Sequence, residues 1–325
     1  MSEFDLIARL EKIICLSPGS DSNACKLGIG DDAAILDIPA HLELVVCVDT
    51  LVEGVHFPES TEPAAIGYKS LAVNLSDLAA MGAIPSWFFM ALTLPSENSA
   101  WLDGFAAGMA GLARDSGIML AGGDTTSGPL SVTVTALGLI EKDQALTRSG
   151  ADAGDLVVIS GRPGSAAHAL KVLGAGEAPA PDDLSALEYP VPRLQLGTAL
   201  LGLATSCIDL SDGLLSDLGH ILEKSGVGAE LDLERLPCPE SLVGRSTEYR
   251  WPLQLAGGDD YELCFTVPPG SETGLEEIAK TCGVELTVIG HITSQTGIEL
   301  NTATGELFQP DVTGYRHFSG KGRPQ

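Results

Sequence analysis

The sequence predicts an α/β (α+β) protein of two domains, residues 1–145 and 146–325, and three observations carry that expectation. The chain has 325 residues, 44% of them hydrophobic, which is more than one core of ordinary size takes up. Strand-like apolar runs alternate with helix-like spacings through the first half. A second series of the same kind starts after "RSGADAGDLVVISGRPG", which places the boundary near residue 145.

In chain order, Phe4 to Cys15 has helical spacing and "SPGSDSN" reads as loop. "GIGDDAAIL", Gly28 to Leu36, sets two adjacent carboxylates against an apolar run where a core strand is expected to begin. Leu42 to Gly54 reads as a buried strand with a polar end, and Pro63 to Ala83 as a long helix stopping near Gly82. "SWFFMALTLP" is expected as a strand, and "SAWLDGFAAGMAGLARDSG" as a helix closed by Gly117. "IMLAGGDTTSG" gives a short strand and a Gly-Gly-Asp turn, and "SVTVTALGLI" a further strand. In the second domain, Leu156 to Ser160 is a strand and a small-residue helix starts at Ser165. "GAGEAPAPDDLS" reads as a linker, followed by a helix near Leu194 to Ala204. "SCIDLSDGLLSDLGHILEKSG" is strand, turn and helix, and Ser211 taken singly has a plain account as an N-cap for the helix Gly213 to Glu223. From "GGDDYELCFTVPPG" to "GYRHF" strands and helices alternate again, and "SGKGRPQ" is expected to fray.

A net charge of −26 and a pI near 4.3 argue against a nucleic-acid or anionic-membrane surface. The 7 Cys are scattered without a CxxC, so neither a disulfide framework nor a zinc site is expected. The first residues lack a signal-peptide core, and no apolar run is long enough to span a bilayer. The expectation is a soluble, cytoplasmic protein.

Acidic residues recur in one pattern: an Asp at the end of an apolar strand or inside an apolar helix, beside Gly, Ser or Thr. They are Asp31–Asp32, Asp49 in "VCVDT", Asp77 in "NLSDLAAMG", Asp124 in "AGGDTT", and Asp209 with Asp212 in "IDLSDG". Singly, each has a plain structural account as a turn, cap or helix-end residue. Together they place charge close to the interior, where an unpaired charge is costly. Only 18 Lys and Arg exist to meet it, few of them nearby in sequence. A metal is then the expected cation, and hard oxygen donors suit Mg2+, Ca2+ or Mn2+. With no EF-hand loop pattern, several Mg2+ ions holding a polyphosphate are favoured, because Mg2+ combines a few carboxylates with phosphate oxygens.

No GxxxxGK[ST] loop and no protein-kinase motif set occurs. "GRPGSAAH" reads as strand, Gly turn and helix, whose N–H groups can take an anion. Arg148 in "ALTRSGA" is an isolated Arg at the domain junction, suited to phosphate and equally to a surface ion pair.

"GIGDDAA", "VDTLVEGVHF", "NLSDLAAMGA", "GGDTT", "LTRSG", "IDLSDGL", "GGDDYELCF" and "GYRHF" occur in that order over nearly the whole chain. As a set they resemble the thiamine-monophosphate kinase family, in the ATP-binding superfamily of aminoimidazole ribonucleotide synthetase and selenophosphate synthetase. The resemblance implies a homodimer whose paired N-terminal sheets form a barrel. It implies an N-terminal domain for metal, ATP and dimerisation, and a C-terminal mixed α/β domain completing the nucleotide and substrate sites. The implied activity is ATP- and Mg2+-dependent phosphorylation of thiamine monophosphate to thiamine diphosphate by direct in-line transfer. By the resemblance, Asp32, Asp49, Asp77, Asp124 and Asp209 are magnesium ligands and Asp212 holds a further ion. Cys47 and Val48 stand where the family often has Ser and Thr, which leaves backbone carbonyls there. Gly123, Asp124, Arg148 and Ser211 match nucleotide positions, and His56, Asp259 and Tyr315 match substrate positions. Asp124, Arg148 and Asp212 carry the catalytic roles. Asp259 is one methylene shorter than the usual family Glu.

Cys25-Lys26 before "GIGDD" partly echoes selenophosphate synthetases, but the Gly-rich run around such a nucleophile is missing. A catalytically silent metal- or nucleotide-binding protein is the alternative from another class, and acceptor-dependent ADP formation separates the two.

Overall fold

The computed structural model describes residues 3–14 and 25–315, so "SPGSDSN", "SGKGRPQ" and the residues after Tyr315 lie outside the described residues. The elements run α1 (Glu3–Ile14), β1 (Cys25–Leu27), β2 (Ile35–Leu36), β3 (Leu42–Val52), α2 (Pro63–Ala80), β4 (Ile84–Leu94), α3 (Ser99–Ser116), β5 (Met119–Ser127) and β6 (Ser131–Glu141). They continue with β7 (Leu156–Ser160), α4 (Ser165–Gly174), α5 (Pro181–Glu188), α6 (Leu194–Ala199), β8 (Ser206–Asp209), α7 (Leu214–Ser225) and β9 (Gly228–Asp232). Last come α8 (Thr247–Ala256), β10 (Leu263–Val267), α9 (Glu272–Cys282), β11 (Leu286–Thr293) and β12 (Gly297–Asn301). The result is a mixed α/β chain of two compact units. The first runs through Ala145 and also takes Glu188–Leu201, and the second takes Leu146–Leu187 and the chain from Gly202.

The first unit is built on a four-stranded sheet in the order β3-β6-β4-β5. β4 and β5 are parallel and the other pairs antiparallel. β6 alternates as a half-covered strand does, with Val132, Val134 and Ala136 fully buried. α2 lies on the sheet and against α3 and α6, so it is buried on nearly every side, the polar Ser70, Asn74 and Ser76 included. Asn98 caps α3 by accepting the N–H groups of Ala100 and Trp101 at 3.1 and 3.2 Å. Gly117 closes it in the left-handed conformation, at the stop that the sequence predicts.

Two expectations for this unit are corrected. β3 is not a buried strand: Val46 is 55% and Val48 61% exposed. It reads as buried because both of its faces are apolar, whereas it pairs only with β6 among the described strands and meets α2 on one face. The strand expected within "GIGDDAAIL" shrinks to Ile35–Leu36, paired with β1.

The second unit holds a six-stranded sheet, β12-β9-β11-β7-β10-β8, antiparallel except for β9 with β12. Val157, Ile159, Leu218, Ile221, Leu231 and Ile289 anchor its main core. Here too a reading changes. The stretch expected as linker ends in α5, because Asp183 is buried and accepts hydrogen bonds from His168 Nδ1 at 2.8 Å and Ser241 Oγ at 2.7 Å. The helix expected to reach Ala204 stops as α6 at Ala199. Among the described residues no helix is long and apolar enough to cross a membrane.

α2 and α3 touch backbone to backbone: a Cβ on Gly67 would lie 2.0 Å from Phe105 O, and one on Gly108 1.9 Å from Ala64 O. Gly108→Ala therefore forces the helices apart and should cost about 1–3 kcal/mol, read from the denaturant midpoint. An unchanged midpoint would show that the two helices separate freely.

Candidate active site

In the first unit, β5 carries Gly123 and Asp124 alongside β4. A Cβ at position 123 would sit 2.1 Å from Met90 O, so only glycine permits this approach. Asp124 is exposed and, with Gly123, Asp31, Asp32, Gly30 and Phe89, lines a cavity of about 960 Å3. The structure thus brings together Asp32, Asp124 and Gly123. Asp31 and Asp32 do not sit near the interior as expected; both are exposed. β2 starts only at Ile35, so the loop before it stays at the surface, where water solvates the charge. Asp31 Oδ1 accepts the Asp32 N–H at 2.9 Å.

A second group lies where β3 meets α2. Asp49, on β3, and Asp77, on α2, are close enough to influence each other. Burial raises the Asp49 pKa, and Asp77 pulls it partly back. Cys47 adjoins them, its Sγ donating to Asn74 O at 3.4 Å. Burial, then the charges of Asp77 and Asp49, push its thiol well up, so it stays a neutral thiol. Val48 faces the opposite, exposed side of the strand. His56 follows the strand, and its Nδ1 accepts the Val52 N–H at 3.0 Å, which puts the neutral ring's proton on Nε2.

Magnesium fits the chemistry of this donor set. Two neighbouring carboxylates partly withdrawn from water favour a hard divalent cation, and no basic group is among the influences on Asp49. Still, among the described residues no three Asp, Glu, His or Cys groups converge where they would hold a metal ion.

The second unit assembles its residues through the backbone. β8 ends at Asp209, which is buried, and leads into Ser211 and Asp212. The returning chain docks on these residues. Asp259 N–H donates to Ser211 O at 2.9 Å, Tyr261 N–H to Leu210 O at 2.8 Å, and Tyr315 N–H to Asp212 O at 3.0 Å. Asp209, Ser211, Asp212, Asp259 and Tyr315 are therefore neighbours. Asp259 and Tyr261 hold positive φ, 68° and 50°, a conformation costly for residues with a side chain and concentrated at working sites. Tyr261 OH donates to Asp259 Oδ1 at 2.9 Å. Arg148 is exposed, on a segment pinned where Cys207 N–H donates to Thr147 O at 2.9 Å. Among the described residues no carboxylate forms an ion pair with it within 4.0 Å.

Three residues here escaped the reading of the sequence: Asp217, Asp260 and Tyr261. Asp217 Oδ2 accepts the N–H groups of Ser211, Asp212 and Gly213 at 3.0, 3.1 and 3.1 Å. Burial, with the charges of Asp209 and Asp212, pushes its carboxyl up to about 7 against the pull of those bonds. This corrects Ser211 as N-cap: Gly213 holds that position with no side-chain bond, and Asp217 serves the preceding amides. The anion seat expected in "GRPGSAAH" is also taken. The Gly164 N–H at the start of α4 donates to Asp260 Oδ1 at 2.8 Å. The signal was an extra Asp in "SDGLLSD" and in "GGDDYEL", beside residues already singled out. As for the Cys25-Lys26 echo, Lys26 Nζ is paired with Asp37 at 2.8 Å, and Cys25 Sγ donates to Leu27 O at 3.4 Å.

Asp260 is half-buried as a residue, but its carboxyl is enclosed, and Oδ2 has no hydrogen-bond partner. Burial above all holds its pKa well above the ordinary value. For such an acid the stabilising contribution is complete below the unfolded pKa and is lost as pH rises through the folded one. Asp260→Asn keeps an oxygen for Gly164 and removes the titration. Parent and variant should melt together at about pH 4 and diverge as pH rises, the parent falling lower. Parallel curves across that range would mean that Asp260 stays ionised.

Comparison with known proteins places this architecture. Residues 30–140 match the AIR synthase related protein N-terminal domain, and residues 152–302 the C-terminal domain. The thiamine-monophosphate kinase of Escherichia coli (strain K12) is 44% identical over 325 residues, covering 98% of both chains. That of Bacillus subtilis (strain 168) is 35% identical over 98% of this chain and 100% of its own. The crystal structure of thiamine-monophosphate kinase from Stenotrophomonas maltophilia K279a superposes with a TM-score of 0.86 at 42% identity, over 94% of this chain and 98% of that one. AaThiL complexed with AMPPCP and TMP gives a TM-score of 0.76 at 29% identity, over 97% of each chain. The hydrogenase maturation protein HypE in complex with ATP, at 21% identity and a TM-score of 0.77, shares the fold. With its two domain matches, its full-length relatives and an acidic site carried on the same architecture, the chain belongs to the thiamine-monophosphate kinase family, a kinase of the AIR synthase related proteins.

Proposed function

We propose that the protein transfers the γ-phosphoryl group of ATP to the phosphate of thiamine monophosphate, giving thiamine diphosphate and ADP. The observation that supports this reading is the backbone docking of Asp259 and Tyr315 onto Ser211 and Asp212, the residues that the family resemblance assigns to acceptor and to nucleotide and metal. The relative complexed with AMPPCP and TMP supports it. An acceptor phosphate oxygen attacks the γ-phosphorus, the bond to the β-phosphate bridging oxygen breaks, and ADP leaves. The acceptor oxygen is already anionic, so no side chain has to take a proton, and the work is alignment and charge neutralisation.

In this reading residues 1–145 serve metal, ATP and dimerisation, and residues 146–325 serve nucleotide and acceptor. Asp32, Asp49, Asp77, Asp124, Asp209 and Asp212 would hold magnesium, aided by the backbone carbonyls of Cys47 and Val48. Those ions would neutralise the phosphates during transfer. Cations are needed because the chain's own carboxylates fill both backbone anion seats in the second unit, at Gly164 and at Ser211 to Gly213. Gly123 and Ser211 hold the nucleotide, and Arg148 holds its phosphates as a planar fork. Asp124, Arg148 and Asp212 are the groups at the transfer itself. Tyr315, 47% exposed, offers a face to a cationic ring, and Asp259 offers an oxygen to a ring amine. His56 offers its Nε2 proton to the acceptor phosphate.

The test is purified protein with ATP and thiamine monophosphate, with and without Mg2+, reading thiamine diphosphate by fluorescence after oxidation. Product should require both ATP and Mg2+. Tyr315→Ala should raise KM for thiamine monophosphate about tenfold, a loss of about 1.4 kcal/mol, and leave KM for ATP unchanged. ATP consumption without acceptor dependence would remove the reading.

β3 supports a second copy of the chain as partner. Its outer edge has no strand partner among the described residues, and Val46 and Val48 expose apolar surface on one face of the strand. Two such sheets joined edge to edge form the barrel that the family resemblance implies. Sedimentation should give a dimer for the parent and a monomer for Val48→Lys; an unshifted mass would move the interface elsewhere.

A further inference from the structure

Asp217 has no role in the chemistry above, and only 2% of it is exposed, yet it touches three consecutive backbone amides of the site. We propose that Asp217 is a positioning residue that aligns the nucleotide and acceptor contacts together, by fixing the peptide planes from which Asp259 and Tyr315 hang. This rests on the reading of Ser211, Asp212, Asp259 and Tyr315 given above.

The geometry follows from the planar trans peptide, in which C=O and the next N–H point in opposite directions. The Asp212 N–H points at Asp217, so the Ser211 C=O of the same plane points away, and there it meets the Asp259 N–H at 2.9 Å. The Gly213 N–H points at Asp217, so the Asp212 C=O points away, and it meets the Tyr315 N–H at 3.0 Å. Successive N–H groups curled round one oxygen form an anion nest, and here the anion is built in. Its carrier is fixed in turn: Leu214, Leu218 and Ile221 of α7 are buried in the core of the unit, and Asp217 N–H donates to Gly213 O at 3.0 Å. One side chain therefore orients two docking contacts in opposite directions from itself.

Asp217→Asn keeps the shape and one acceptor oxygen but loses the charge that strengthens the bonds; Asp217→Ala leaves the three amides without it. Amide exchange at Ser211, Asp212, Gly213, Asp259 and Tyr315 should quicken about tenfold or more in Asp217→Ala and less in Asp217→Asn. Per folded enzyme, kcat/KM for thiamine monophosphate should drop about tenfold or more in the Ala variant, with partial recovery in the Asn variant. Asp183→Asn, which disturbs a buried carboxylate in the same unit, should lower Tm and leave both KM values unchanged. If Asp217→Ala does not fold, Asp217→Asn against the parent carries the comparison. Parental exchange at Asp259 and Tyr315 in a folded variant overturns the positioning role, whatever the substrate. Faster exchange in the variant, with a parent that makes no thiamine diphosphate, leaves that role standing and removes the functional reading.

Discussion

Carboxylates withdrawn from water, with few basic residues to meet them, set the terms for both units. A charge so placed has to be neutralised by a proton, by hydrogen bonds or by a cation. The structure uses the first two side by side. Asp260 is held towards its neutral form in an enclosed position, Asp217 is surrounded by three backbone N–H groups, and burial raises the pKa of Asp49 beside Asp77. The third solution is what a family of phosphotransferases has most use for, since cations that relieve carboxylate repulsion also carry the charge of a polyphosphate.

Rigid elements carry this chemistry, and the contacts that hold them are close. α2 meets α3 through glycine backbone on both sides, and Gly123 lets β5 run against β4 with Asp124 at its exposed end. In the second unit the strain at Asp259 and Tyr261 is offset by bonds to Ser211, Leu210 and the Asp259 side chain itself. Such strain persists only where the surroundings over-determine it, and backbone bonds on consecutive residues do so here. A tyrosine that fixes its own neighbour also bears on Asp259, whose short side chain has little freedom to search for a partner.

Local signals and long-range contacts divide what was legible from what was not. Periodicity and stop signals locate β7, α3 with its closing Gly117, and the α4 start at Ser165, because each depends on residues within a few turns of chain. The acidic motifs are legible for the same reason, as is the family resemblance they carry in order. Burial was not legible at β3 or at Asp31–Asp32, because an apolar run does not say whether a second layer covers it. α5 was hidden because a Pro- and Asp-rich stretch becomes helix only when Asp183 finds His168 and Ser241.

The sequence by itself determined the class of fold, the order of its elements, the acidic residues available for chemistry and the family to which they point. Only the tertiary structure decided which of those carboxylates meet. It set Asp49 beside Asp77, put Asp32 with Asp124 on one cavity, and docked Asp259 and Tyr315 onto Ser211 and Asp212. It also filled the two anion seats with Asp217 and Asp260. Element type follows from neighbours along the chain, whereas these meetings join residues far apart in sequence, and their protonation and orientation exist only once the path of the backbone has brought them together.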